Sequence, residues 1–236
     1  MVLVEFTGRE EITKAVFDTT DEKAATEAGL TKEGAIYRPV AVFVGDGELI
    51  KGLDEAIEEM KEGEEKTITI SPEKAFGERN AELVTVLPLQ EFKKRKMQPY
   101  VGLIIEADDR QGRVQSVSGG RVRVDFNNPL AGKNIEYTIK VVKEIKKDED
   151  KAKELVNKFL PLKDKTPTVK VRGNEVIVTL PAGLPKEIKP LNDLLAKTIT
   201  NKIKSIEKVS FEEETEKKED KKTEHKKNEK PKKESK

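Results

Sequence analysis

The 236-residue chain has no cysteine, no tryptophan and a single histidine, His225. Without cysteine it has no disulfide, no thiolate nucleophile and no cysteine metal site. One histidine in a polar C-terminal stretch excludes a multi-histidine metal centre and leaves little basis for a His-centred triad, so no metal and no cofactor are expected. An excess of one charge is also missing. Forty-six Lys and Arg face 45 Asp and Glu, a net charge of +1, where a nucleic-acid binder would show a basic surface; no nucleic-acid partner is expected. No apolar run approaches the roughly 18 residues needed to span a membrane. The opening MVLVEFTG is too short and too acidic for a signal peptide, so the expected location is cytoplasmic.

Charged residues make up 39 % of the chain and aromatics 5 %. The best-patterned stretch is VFVGDGELIKGLDEAIEEMKEGEEKTITISPEKAFG, residues 42–77. It holds a strand, a glycine turn, an amphipathic helix with Leu53, Ala56, Ile57 and Met60 on one face, and a second strand ended by Pro72. It has no nucleophile and no ligand cluster. Apolar side chains gathered around turns make a pocket, and chemistry there must rest on shape, desolvation and backbone polarity.

Around it, residues 2–7 and 16–17 read as strands, DEKAATEAGL as a helix capped by Gly29, and residues 135–142 (IEYTIKVV) as a strand that returns to the first sheet. The fold class is α+β, an antiparallel half-barrel wrapped on one short helix. Residues 83–126 have another texture: an apolar run, a basic connector (QEFKKRKMQP) and three short strands at 101–105, 112–117 and 121–125, punctuated by glycines. They read as an inserted β-rich domain interrupting a unit made of 1–82 and 127–147. Residues 148–211 follow an α-β-β-α-β pattern whose apolar helix faces and small size make homodimerisation an expectation. Residues 212–236 carry almost nothing but charge and are expected to be disordered.

Nucleotide motifs fail on inspection. In GELIKGL, Leu53 stands where a phosphate-binding Lys belongs, and no Ser or Thr follows. The run Lys93-Lys94-Arg95-Lys96 reads as a solvated face, and carboxylate pairs such as Glu58-Glu59 lie beside turns. The backbone N–H groups at the helix start after Leu49-Ile50 are better placed to donate to a ligand carbonyl.

The words VFDTT, FVGDGELIKGLDEAIEEM, GEEKTITISPEKAFGERN and VDFNNPLAGKNIEYTIKVV, in order over residues 1–147, closely resemble the FKBP-type peptidyl-prolyl cis-trans isomerases. The chain looks most like the long archaeal members, with an insert in the flap and an added C-terminal domain; the insert also resembles that of the bacterial SlyD proteins. The resemblance implies an FKBP-like half-barrel and catalysis by Phe17, Asp18, Phe43, Ile50, Leu53, Phe76 and Tyr137, with Phe6 and Leu49 contacting substrate. Phe6 and Phe76 lack the hydroxyls frequent at their positions, and Leu53 replaces a frequent Trp, which makes a looser floor. The metal-binding histidine-rich tail of the bacterial relatives is absent.

Rotation about an X–Pro bond needs no nucleophile. The expected partners are unfolded or partly folded polypeptides containing proline. In the insert, Val84, Leu87, Phe92, Met97, Tyr100 and Val101 are candidate contacts for such chains, since glycine-punctuated strands can take up an extended segment by strand addition. The expected function is an isomerase with chaperone activity in its insert; the alternative is a non-catalytic chaperone with a vestigial pocket.

Overall fold

The computed structural model describes residues 1–107, 110–160, 166–182 and 189–214. Contacts divide the chain into two compact units, Met1–Pro161 and Leu162–Lys236.

The first unit is organised by β1 (Val2–Glu10), which pairs antiparallel with β9 (Ile135–Glu144) along its whole length. On its other edge β1 takes two partners in tandem. β2 (Val16–Thr19) pairs near its C-terminal end and β3 (Val40–Val42) near its start. β4 (Glu65–Ile70) adds to the far side of β9, completing a five-stranded antiparallel sheet. Period-two alternation along β9 buries Ile135, Tyr137, Ile139 and Val141 on one face. Helix α2 (Lys51–Glu58) lies on that face and buries Leu53 and Ile57, one turn apart. Helix α1 (Glu22–Glu27) is capped by Asp21, whose carboxylate accepts from Ala24 N–H at 2.6 Å. The α+β antiparallel expectation for this unit holds.

Between β4 and β9 the chain builds a second sheet of β5 (Val84–Pro88), β6 (Ile104–Ala107), β7 (Arg110–Ser118) and β8 (Arg121–Asp125), in the order β5-β8-β7-β6. The basic segment between β5 and β6 is more than a connector. Residues Leu89–Lys94 form helix α3, because Phe92 is drawn into the core made by Ile105, Val114, Val122 and Val124. Charge on one side of a short helix concealed the single residue that anchors it.

Helix α4 (Asp148–Phe159) groups with the first unit, although its position in the sequence placed it at the head of the C-terminal domain. It sits against β3, Arg38 donates to its Asn157 carbonyl at 2.7 Å, and Lys158 pairs with Glu48 at 2.9 Å. A chain ending after Lys147 is therefore expected to unfold more readily in urea than one ending after Leu160. The expected difference is about 2 kcal/mol, the scale of one charge-assisted hydrogen bond plus partly covered apolar surface. Equal urea midpoints would show that α4 contributes nothing to the first unit.

In the second unit, β10 (Thr168–Arg172) pairs antiparallel with β11 (Glu175–Leu180), and β12 (Lys208–Glu213) pairs parallel to β11. Helix α5 (Lys189–Lys202) provides the crossover that a parallel pair requires, and it buries Leu195 and Ile199. β12 carries the fold to Glu213, past the expected start of the tail at 212; residues 215–236 lie outside those described.

Candidate functional site

Four aromatic rings of the first unit meet edge to face. Phe6 of β1 contacts Tyr137 of β9 with centroids 5.8 Å apart, Tyr137 contacts Phe17 of β2 at 5.8 Å, and Phe17 contacts Phe76 at 5.7 Å. Such arrangements place positive ring edges on negative faces and hold each ring in one orientation. The approach is possible because Gly8 lies between them. It is the register partner of Tyr137 on one side and Asp18 on the other, and a Cβ there would stand 2.8 Å from both the Phe17 and Tyr137 rings. Thr20 fixes the second wall to the first. Its hydroxyl accepts from Phe6 N–H at 2.9 Å, and its own N–H donates to the Phe6 carbonyl at 3.0 Å.

Helix α2 closes the site from below. Leu53 is 2 % exposed and packs in the same cluster as Tyr137, Phe6, Phe17, Phe76, Leu49 and Ile50. Gly52 lets the helix start press onto β4, since a Cβ there would fall 2.4 Å from Ile70. Ile50 is the N-cap residue, with extended backbone and no side-chain cap. Its carbonyl takes the first helical bonds from Leu53 and Asp54, and among the described residues nothing accepts from its N–H. The loop before it is tied down by Asp54, whose two carboxylate oxygens accept from Gly45 N–H at 3.0 and 3.1 Å. Phe76 is delivered by a 3-10 turn at Pro72–Lys74 that closes with Gly77 N–H on the Pro72 carbonyl at 2.7 Å.

Two titratable groups share this cleft. Asp18 keeps one side open to solvent, yet desolvation raises its carboxyl above the ordinary Asp value, opposed by a hydrogen bond from the Thr19 backbone. Burial pushes the Tyr137 phenol far up, and the nearby charge of Asp18 pushes it further, so it remains a neutral donor at every physiological pH. Among the described residues no group of three His, Cys, Asp or Glu side chains could hold a metal ion.

Of the residues singled out in the sequence, Phe6, Phe17, Leu49, Ile50, Leu53, Phe76 and Tyr137 fall in one cluster, with Asp18 at its rim. Phe43 follows the end of β3 and lies outside that cluster. The insert residues divide. Phe92 is 3 % exposed and is core, Leu87 and Met97 pack against that core, and Val84 is half-buried, while Tyr100 and Val101 are 63 % and 67 % exposed. The structure adds Ala75 and Leu130 to the packing around the rings, and Val86 and Ile104 to the exposed apolar surface of the insert. Gly8 could have been suspected from its place in an otherwise side-chain-rich strand, VLVEFTGRE, where a glycine signals close approach.

Residues 1–92 match the family model described as FKBP-type peptidyl-prolyl cis-trans isomerase, and residues 85–130 match the one described as FKBP26, IF domain. The chain is 39 % identical over 131 residues to the short-type peptidyl-prolyl cis-trans isomerase of Methanocaldococcus jannaschii, covering 56 % of this chain and 83 % of that protein. It is 32 % identical over 122 residues to a probable FKBP-type 16 kDa peptidyl-prolyl cis-trans isomerase of Pseudomonas fluorescens, covering 49 % of this chain and 80 % of the relative. To the FKBP-type peptidyl-prolyl cis-trans isomerase SlyD of Vibrio cholerae it is 34 % identical over 114 residues, 47 % of this chain and 56 % of that protein. The ring-lined cleft thus stands in a chain that belongs to the FKBP-type peptidyl-prolyl cis-trans isomerases.

Proposed function

We propose that the cleft binds a proline and its preceding residue and lowers the barrier to rotation about the bond between them, and that the insert holds the unfolded chain to which that bond belongs. Uncatalysed rotation must break amide resonance, a barrier of about 18–20 kcal/mol. The twisted amide has lost its C–N double-bond character and is less polar than the planar form. A water-poor site of preset shape therefore favours the transition state over the solvated ground state without a covalent step. The observation that carries this reading is the chain of edge-to-face rings Phe6, Tyr137, Phe17 and Phe76 above Leu53.

In this reading the rings and Leu53 hold the pyrrolidine, the Ile50 N–H takes a substrate carbonyl, and the Asp18 carboxylate orients the amide dipole. Asp18 is no general base. Phe43, which follows β3, would act from the edge of the site.

Asp18→Asn tests the assignment. A protease-coupled assay on a short proline peptide is expected to show kcat/KM reduced about tenfold, equivalent to about 1.4 kcal/mol of transition-state stabilisation. The same variant is expected to be more stable than wild type at neutral pH. The fold raises the Asp18 pKa above its unfolded value, so the folded state binds the proton first as pH falls. Wild type thus gains stability from this group on going down through the raised pKa and loses it on going up, and the Asn variant lacks that slope. Unchanged turnover in the variant would remove Asp18 from the mechanism. Background turnover in wild type would make the pocket vestigial.

The second unit is proposed to self-associate. Helix α5 leaves Leu191 and Leu194 39 % and 50 % exposed, apolar surface that a second copy would cover. A chain ending after Leu160 would then run as a monomer on a size measurement while the full 236-residue chain runs as a dimer, and equal oligomeric states would discard the idea.

A further inference from the structure

Helix α4 ends against the loop that carries the Ile50 N–H. Its apolar side, Ala152, Leu155 and Val156, is buried, so the helix is fixed within the first unit. Its last turn makes two polar contacts with the segment that runs through β3 into that loop. Arg38, two residues before β3, donates to the Asn157 carbonyl at 2.7 Å, one of the helix-end carbonyls that lack an intrahelical partner. Lys158 Nζ meets the Glu48 carboxylate at 2.9 Å, two residues before Ile50. A cavity of about 340 Å3 lies beside these contacts, bounded by Ile36, Pro39 and Val40 and by Glu154, Asn157 and Lys158. The helix end is therefore coupled to the segment through its polar contacts more than through packing. The loop has little stiffness of its own. Gly45 and Gly47 sit at φ +84° and +69°, and glycine takes either sign of φ at little cost. Asp54 holds Gly45, Leu49 packs in the ring cluster, and Glu48 stands between Gly47 and Leu49.

We propose that Lys158 is a positioning residue for the isomerase cleft: by holding Glu48 from a fixed helix, it aims the Ile50 N–H at the substrate carbonyl. The proposal rests on the reading above that this N–H takes that carbonyl. The direction of the N–H is set by the planar peptide between Leu49 and Ile50, and the ion pair holds the chain one residue before that plane. The side chains of Lys158 and Glu48 are 39 % and 23 % exposed, so the pair is partly shielded from water. A hydrogen bond made alike to the planar and the twisted amide is uniform binding. Weakening it raises KM and leaves kcat in place. A loss of folded protein does the reverse, lowering the apparent kcat at unchanged KM.

Turnover of an uncharged proline peptide by the full-length protein, measured across a range of peptide concentrations, tests this. Without charge on the peptide, the altered side chains cannot act on it directly. Lys158→Ala is expected to raise KM about fivefold at unchanged kcat, the upper end of what a partly exposed ion pair contributes. Glu48→Ala is expected to do the same. The double variant should be no worse than either single one, because the same contact is lost in all three. Lys158→Arg keeps the contact and is expected to hold the wild-type KM. A wild-type KM in Lys158→Ala, two single effects that multiply in the double variant, or a fall in kcat with KM unchanged each overturns the positioning role while leaving the isomerase reading intact. Background turnover in wild type removes that reading, and the proposal falls with it.

Discussion

Gly8→Val is expected to lower kcat/KM on a short proline peptide about 100-fold while leaving most of the protein folded at 25 °C. The cause is crowding at one point. The first added carbon already lies 2.8 Å from Phe17 and Tyr137, and valine adds two more. Tyr137 is 3 % exposed, so its ring has no open space to move into and must tilt out of its edge-to-face contacts with Phe6 and Phe17. Overpacking of this kind costs about 1–3 kcal/mol of stability. A loss of about 2.7 kcal/mol in transition-state stabilisation corresponds to the 100-fold fall in rate. Gly8→Ala should fall between wild type and Val in both respects. The two readouts separate the possibilities: thermal midpoint reports packing, and turnover measured well below that midpoint reports the cleft. A Val variant that melts early yet turns over at the wild-type rate would place the reaction somewhere other than these rings.

Much of this site is legible in the sequence because its residues sit in strongly periodic or strongly punctuated segments. Alternation in IEYTIKVV puts Tyr137 on the buried face, and the one-turn spacing of Leu53 and Ile57 sets the orientation of α2. Less legible is what depends on residues far apart in the chain. Gly8 matters because of a ring from β9 and a ring from β2, and neither neighbour is visible from position 8. The same limit applies to the insert. Composition ranks Phe92 with Tyr100 as candidate contacts, yet one closes a core and the other is exposed, because burial is decided by the sheet that folds over α3.

Replacing residues 84–125 by a short loop is expected to leave short-peptide turnover within about threefold of wild type. Refolding of a proline-limited protein substrate should become about 100-fold less efficient, the scale on which tethering concentrates one site beside another. The catalytic half tolerates the excision because its two chain ends are already joined outside the deleted part. Asn80 N–H donates to the Asn127 side-chain oxygen at 2.8 Å, and the Asn127 amide donates back to the Asn80 carbonyl at 2.9 Å. The insert itself is held by a second group of contacts at the same place. Asp125 pairs with Arg79, accepts from Gln115 at 3.1 Å, and accepts from Asn127 N–H and its side-chain amide at 3.0 and 2.7 Å. Burial at the linker opposes ionisation of Asp125, but the hydrogen bonds from Asn127 and the charge of Arg79 together outweigh it and hold the carboxyl below the usual Asp value. A depressed pKa means that the contribution to stability is complete above the ordinary Asp range and is lost as pH falls through the lowered value. Asp125→Ala removes these contacts without removing the insert. It should fall between wild type and the excised chain on the protein substrate, while matching both on the short peptide. Equal losses on the two substrates in either variant would mean that the insert supports the fold of the cleft and does not present chains to it.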